Sequence, residues 1–131
     1  MITVFTDGAS NGNPGYSGAG LYINDEGHIY EHSIPLGYMS NHEAEFHAVI
    51  KALEICNEKF PNHILAFQTD SKIVVDTIEK NYTKNNAFQP LLKHIQSKAK
   101  KHPHFFIKWI PSRQNSHADQ LAKRAIQTNT H

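Results

Sequence analysis

Ile2-Thr3-Val4-Phe5-Thr6-Asp7-Gly8-Ala9-Ser10-Asn11-Gly12-Asn13-Pro14-Gly15 is the stretch on which the reading of the whole chain turns. Ile2 to Thr6 is apolar and β-branched, which favours a strand, and the cluster from Asn11 to Gly15 turns the chain. A strand that runs into Asp7-Gly8 places one carboxylate at a sheet edge. Taken alone, Asp-Gly also opens ordinary turns. Its meaning depends on whether other carboxylates are delivered to the same place.

Outward from this stretch, Ser17 to Asn24 alternates Ala19, Leu21 and Ile23 against Gly18, Gly20 and Tyr22, which predicts a second strand. Asp25-Glu26-Gly27 is a short hairpin connection, with Gly27 free to take positive φ. His28 to Pro35 is a third strand, so the first three form an antiparallel meander. Ser40 and Glu43 have the spacing of a capping box, and open a helix through Ala44, Ala48, Val49, Ala52, Leu53, Ile55 and Cys56 that ends before Pro61. His63 to Thr69 is a fourth strand, again followed by an aspartate, Asp70. Ser71 to Lys80 is a short helix, 81–87 a polar loop, and Phe88 to Lys100 a helix with Pro90 in its first turn. Phe105 to Ile110 is a fifth strand stopped by Pro111, and its Trp109 is expected in the core. Ser112 to Asn115 is a loop, and Ser116 caps a last helix carrying Ala118, Leu121, Ala122, Ala125 and Ile126. The order β-β-β-α-β-α-α-β-α predicts an α/β fold: a mixed five-stranded sheet with helices on both faces.

At 131 residues the chain fits one domain, 1–131, with a sizeable core. No apolar run approaches the roughly 20 residues of a membrane helix, and no secretory signal is visible. The single cysteine, Cys56, excludes an internal disulfide and fits a reducing, cytoplasmic setting as a small buried apolar residue. Net charge is only +1, but the charge is unevenly spread. Residues 1–79 hold three basic side chains (Lys51, Lys59, Lys72) against eleven acids, and residues 80–131 hold ten against Asp119 alone. Two readings fit: an anionic partner beside metal-binding acids, or two charge sets that attract within the fold.

Four acids stand out by position. Asp7 and Asp70 close strands, and Glu45 and Asp119 lie in first helical turns, ends that gather at one crevice of an open α/β sheet. Glu45 shares the stripe of Ala48 and Val49, and a carboxylate on a core-facing stripe is costly unless it is paired, binds metal or stands at a cleft rim. Several carboxylates with few cationic neighbours suit a hard divalent ion such as Mg²⁺. The ten histidines are scattered and have no zinc-site spacing.

Asp7-Gly8 with Gly12-Asn13-Pro14-Gly15, Ser40-Asn41 leading to Glu45, Thr69-Asp70-Ser71, and Asn115 leading to Asp119 occur in the order and spacing of type 1 ribonuclease H. The resemblance spans essentially the whole chain. It implies an endoribonuclease that hydrolyses the RNA strand of an RNA–DNA hybrid and leaves 3′-hydroxyl and 5′-phosphate ends. It also implies that Asp7, Glu45, Asp70 and Asp119 are the metal-binding and catalytic acids, with Asp7 as the natural bridge. Two Mg²⁺ ions roughly 3.5–4 Å apart, for which Mn²⁺ can substitute, activate water and stabilise the leaving oxygen in such sites. By the same resemblance Gly12, Asn13, Asn41 and Asn115 are substrate-binding positions. Glu45 and Ser71 stand where the 2′-hydroxyl that separates RNA from DNA is read. Lys72 and Arg113 are candidate phosphate contacts, for which ordinary solvated residues are the alternative. The partner implied is the hybrid, bound by a monomer with no membrane or protein partner in evidence.

The chain departs from the family pattern in three places. Many bacterial members carry a longer, histidine-bearing loop before the last acid, where this chain has only Ser112 to Asn115. Many also carry a basic, tryptophan-containing handle, where Asn81 to Ala87 is short and holds only Lys84. Both features resemble the compact archaeal-like and reverse-transcriptase-associated members. His42 replaces the second asparagine before the glutamate. Two other readings share the fold: a hybrid-binding module with little or no turnover, and a two-metal nuclease for another substrate such as a junction.

Overall fold

The computed structural model describes residues 1–129, so residues 130–131 of the expected domain lie outside the described residues. Strands β1 (Ile2–Ser10), β2 (Gly15–Asp25) and β3 (His28–Met39) form the antiparallel meander. Strands β4 (Leu65–Thr69) and β5 (Phe105–Trp109) add in parallel on the other side of β1, giving the order β3-β2-β1-β4-β5. Helix α1 (Asn41–Lys59) links β3 to β4, and α2 (Lys72–Lys80) and α3 (Gln89–Ala99) link β4 to β5. A single 3-10 turn, Ser112–Gln114, leads into α4 (Ser116–Asn129). The mixed five-stranded sheet and its element order are those expected, with β1 at the centre.

Local chemistry explains the joints. Glu26 and Gly27 both take positive φ (51° and 96°) between the paired Asp25 and His28, the backbone that a two-residue hairpin needs. At α1, the Ser40 hydroxyl accepts from the Glu43 N–H at 3.2 Å and the Glu43 carboxylate accepts from the Ser40 N–H at 3.1 Å. That capping box satisfies two amides that would otherwise be orphaned, and it fixes where α1 starts.

One face of the sheet supplies Ile2, Val4, Leu21, Ile23, Leu65 and Phe67, all essentially inaccessible, and α1 covers them with Val49, Ala52, Leu53 and Cys56. Each large side chain buried in this way contributes about 1.5–3 kcal/mol. Burial also pushes the Cys56 thiol up to about 12, so it behaves as an apolar filler. The opposite face is crossed by α4, whose Ala118, Ala122 and Ala125 lie against Gly18 and Gly20 of β2. Among the described residues no helix is long and apolar enough to cross a membrane.

The structure differs from the expectation in detail: β3 runs on to Met39 and β4 starts only at Leu65. β1 does not stop at Asp7 but stays paired to β2 as far as Ser10 and Ser17, so Asp7 sits within the strand, opposite Gly20. Ser116 is already helical, and Asn115 precedes the helix. Trp109 is 48% exposed rather than in the core, because β5 is an edge strand.

Candidate active site

Register brings the acids together. Thr6 of β1 is aligned with Thr69 of β4, so the next residue of each parallel strand, Asp7 and Asp70, emerges side by side. Two glycines next to Asp7 admit the other two acids. A Cβ on Gly8 would overlap the backbone of Ala44, so only glycine lets the first turn of α1 reach β1 and present Glu45 there. A Cβ on Gly20, the partner of Asp7 in β2, would overlap the Ala118 carbonyl, and Asp119 is the next residue. All four acids singled out in the sequence therefore gather around Asp7 within β1, where the parallel strand β4 ends beside it.

Their electrostatics are those of a site with too much negative charge. The Asp7 carboxyl is raised from 3.8 to about 9, first by burial, then by the charges of Asp70 and Asp119, a hydrogen bond with Asp119, and the charge of Glu45. Glu45 is raised to about 7 by burial and by Asp70. Among the described residues no three metal-ligating side chains are drawn into a ready cage. The acids act on one another through a hydrogen bond between Asp7 and Asp119 and through the charges of Asp70 and Glu45. The donor set is all hard oxygen, and a divalent cation would offset both the burial and the repulsion. The residues fit such an ion.

Three of the four acids, Glu45, Asp70 and Asp119, are met by donors of their own. The Asn41 side-chain amide donates to Glu45 Oε1 at 2.8 Å, and the Asn41 backbone N–H donates to Asn13 Oδ1 at 3.2 Å. The turn after β1 is thereby tied to the start of α1; the single Ser10 hydroxyl proton has the Gly12 and Met39 carbonyls as acceptors within reach. His42 Nδ1 stands 3.9 Å from Glu45 Oε1. Asp70 is gripped from the far side of the chain. Ser112 Oγ donates to Asp70 Oδ2 at 2.8 Å, Asn115 Nδ2 to Asp70 Oδ1 at 3.1 Å, and the Trp109 indole N–H to the Asp70 carbonyl at 3.2 Å. Asp119 Oδ2 is paired with Lys123 Nζ at 3.0 Å.

The other expected residues are placed less uniformly. Gly12, Asn13 and Asn41 sit together beside Glu45. Arg113 is exposed on the 3-10 turn. Ser71 is 7% exposed, and its hydroxyl is buried without a hydrogen-bond partner. Asn115, read from the sequence as a substrate contact, is only 1% exposed and donates inward to the Thr6 carbonyl at 3.0 Å as well as to Asp70. Its position is that of a support. Lys72 heads a groove of about 550 Å³ that runs along α2 past Lys80 and Lys84, with Tyr82 on its wall. The spacing of Lys72, Asp76 and Lys80 on one face of α2 is the signal that points to Lys80; Lys84 lies in the loop beyond the helix and has no such signal. A larger groove of about 690 Å³, lined by Ile78, Ile95, Ala99 and Ile107, holds none of the acids.

Comparison with known proteins agrees with this architecture. The family model RNase H matches residues 1–127. A protein of Enterococcus faecalis named "Putative hydrolase EbsB" is 47% identical over 130 residues, covering 97% of this chain and 95% of its own. A Ribonuclease H of Desulforamulus reducens is 40% identical over 83 residues, which is 63% of this chain and 50% of that protein. Among solved structures, LC11-RNase H1 in complex with RNA/DNA hybrid superposes with a TM-score of 0.92 at 29% identity, covering 100% of both chains. RNase H1 of the halophilic archaeon Halobacterium salinarum gives 0.90 at 25% identity, over 97% of this chain and 98% of its own.

Proposed function

The chain belongs to the RNase H family, and from that premise we propose that it is a metal-dependent endoribonuclease that hydrolyses the RNA strand of RNA–DNA hybrids. It uses two divalent ions, Mg²⁺ or in its place Mn²⁺, and leaves 3′-hydroxyl and 5′-phosphate ends. The observation that carries the reading is the register of β1 and β4, which sets Asp7 beside Asp70, with Glu45 and Asp119 admitted by Gly8 and Gly20. When bound, such ions supply Lewis acidity toward the phosphodiester and its attacking water.

The protein's own part is to hold, orient and discriminate. Asp7, Glu45, Asp70 and Asp119 are the acids that would hold the ions, and a bound cation would favour the ionised form of Asp7 by offsetting the charge of its neighbours. Asn41 fixes Glu45 while Asn13 fixes Asn41, and with Gly12 and the start of α2 at Ser71 these groups face the ribose side of the hybrid. The 2′-hydroxyl is the feature that separates RNA from DNA there. Lys72 and Arg113, with Lys80 at the end of α2 and Lys84 in the loop after it, neutralise phosphates on either side of the acids, a contribution that weakens as salt rises. The chain acts as a single-domain cytoplasmic monomer.

Cleavage of end-labelled hybrid, RNA duplex, DNA duplex and a four-way junction with Mg²⁺ or Mn²⁺ tests the proposal. Only the RNA strand of the hybrid is expected to be cut, and Asp7→Asn or Asp70→Asn should reduce cutting by at least about 10²–10³-fold, the scale of losing one charge-stabilising group. No cleavage with either ion would overturn it. Hybrid binding without turnover would favour a binding module, a reading against which the four intact acids stand.

A further inference from the structure

We propose that Ser112 is a positioning residue for the Asp70 carboxylate, so that the short segment between β5 and α4 sets how tightly the site holds a divalent cation. The inference rests on the metal-dependent reading above. Three donors from Trp109, Ser112 and Asn115 converge on one residue more than 35 positions earlier, and between them they occupy its carbonyl and both carboxylate oxygens. Asp70 lies beyond the last residue of β4 and before the first of α2, so neither strand nor helix fixes its side chain. Without these donors two torsions would be free.

The segment that carries the donors is itself held. Pro111 has φ −65°, the Gln114 N–H donates to the Pro111 carbonyl at 2.9 Å, and the Asn115 N–H donates to the Ser112 carbonyl at 2.9 Å. Asn115 also pins the segment to β1 through the Thr6 carbonyl. Ser112 therefore offers its hydroxyl from a turn that is already formed. An ionised carboxylate has about four acceptor sites. Ser112 and Asn115 take one site on each oxygen, which leaves lone pairs on both for a cation and fixes the direction they face. Ser112 adds no charge, so it orients Asp70 without competing for the role of counter-ion. Outer partners of this kind are worth about 10–100-fold in metal affinity or activity.

Ser112 is exposed, so its hydroxyl can be removed without opening the core. The test is calorimetric titration of Mn²⁺ into the full chain without hybrid, for the unsubstituted protein, Ser112→Ala, Ser112→Thr, and Ser97→Ala on α3 as a control. Ser112→Ala is expected to weaken Mn²⁺ binding by about tenfold or more, and Ser112→Thr to restore it to within about threefold. Ser97→Ala should leave it unchanged, and the ion-free melting temperature of Ser112→Ala should stay within about 2 °C. In hybrid cleavage, Ser112→Ala should lose kcat at low Mn²⁺, recover it at high Mn²⁺, and keep its KM for hybrid. Unchanged Mn²⁺ affinity in Ser112→Ala overturns the inference. So does weakened affinity that Ser112→Thr fails to recover, which would mark a general loosening of the turn. If the unsubstituted protein binds no Mn²⁺, the metal-dependent reading falls and this inference with it. If it binds Mn²⁺ with the expected pattern but cuts no hybrid, only the nuclease reading falls.

Discussion

On the β1 and α1 side of the site, Asp7 and Glu45 are pushed up to about 9 and about 7 by burial and neighbouring carboxylates, although the Asn41 amide donates to Glu45. On the β4 and α4 side, Asp70 and Asp119 are met by donors: a hydroxyl, an amide and an ammonium. Close backbone packing that only glycine permits serves one acid of each pair, Glu45 through Gly8 and Asp119 through Gly20. What separates the pairs is that Asp70 and Asp119 are also met by side chains from the last strand, the segment before α4 and α4 itself. Folding alone completes the second half of the site. The first half is a standing penalty that is relieved only when something positive arrives.

The comparison breaks most visibly at the glycines. Gly20→Ala puts a methyl group into the Ala118 carbonyl and Ala122 amide. Helix backbone cannot step aside as a flexible side chain can, so the loss should exceed the roughly 1–3 kcal/mol usual for overpacking. Urea denaturation should show a large fall in midpoint or no folded baseline. A midpoint like that of the unsubstituted protein would mean that α4 has slack, and that Asp119 is not fixed by this contact.

Asp7→Asn should move stability the other way. A carboxyl whose folded pKa lies above its unfolded value keeps its proton in the folded state where the unfolded chain has lost it, so stability falls as pH rises between the two values. For Asp7 that window runs from 3.8 to about 9, and for Glu45 from 4.5 to about 7. The metal-free protein should therefore melt at progressively lower temperature from pH 5 to pH 9, and added Mn²⁺ should flatten the decline. Asp7→Asn removes the larger contribution. Relieving even a tenfold part of it is worth about 1.4 kcal/mol, so the metal-free variant should melt higher than its parent at pH 8 while cleavage is lost. A melting temperature that does not depend on pH in the parent would sink the electrostatic account of Asp7.

The same contrast explains what could be read in advance. Glu45 was legible because its supports are local: Ser40, Asn41 and Glu43 lie within five residues of it, and the capping box states where the helix starts. Asp7 and Asp70 were legible as acids after apolar runs, although β1 runs on through Asp7 because β2 continues to pair with it as far as Ser17. The donors to Asp70 were not legible. Ser112 and Asn115 approach it across sequence separations of 42 and 45, and nothing in Ser-Arg-Gln-Asn states which strand end they will face. That depends on β5 landing beside β4, which is a property of the assembled sheet. Trp109 was misjudged for the same reason, since alternation along a strand gives the face a residue is on but not whether the strand lies at an edge.

The smallest effect separates the two kinds of donor within the better-satisfied half. Lys123 and Ser112 each contact one carboxylate oxygen, but Lys123 brings a full charge and Ser112 only a dipole. The ammonium partly does for Asp119 what a divalent ion would do, and the pairing in turn holds the proton on Lys123 more firmly. Lys123 lies on the exposed side of α4, with 67% of its side chain accessible, so solvent and salt screen most of this interaction. Lys123→Gln should therefore tighten Mn²⁺ binding by only about two- to fivefold, and less at high salt. The direction is opposite to that expected for Ser112→Ala. If both substitutions weaken the ion, Lys123 orients Asp119 as Ser112 orients Asp70, and the ammonium does not act as a competitor for the site.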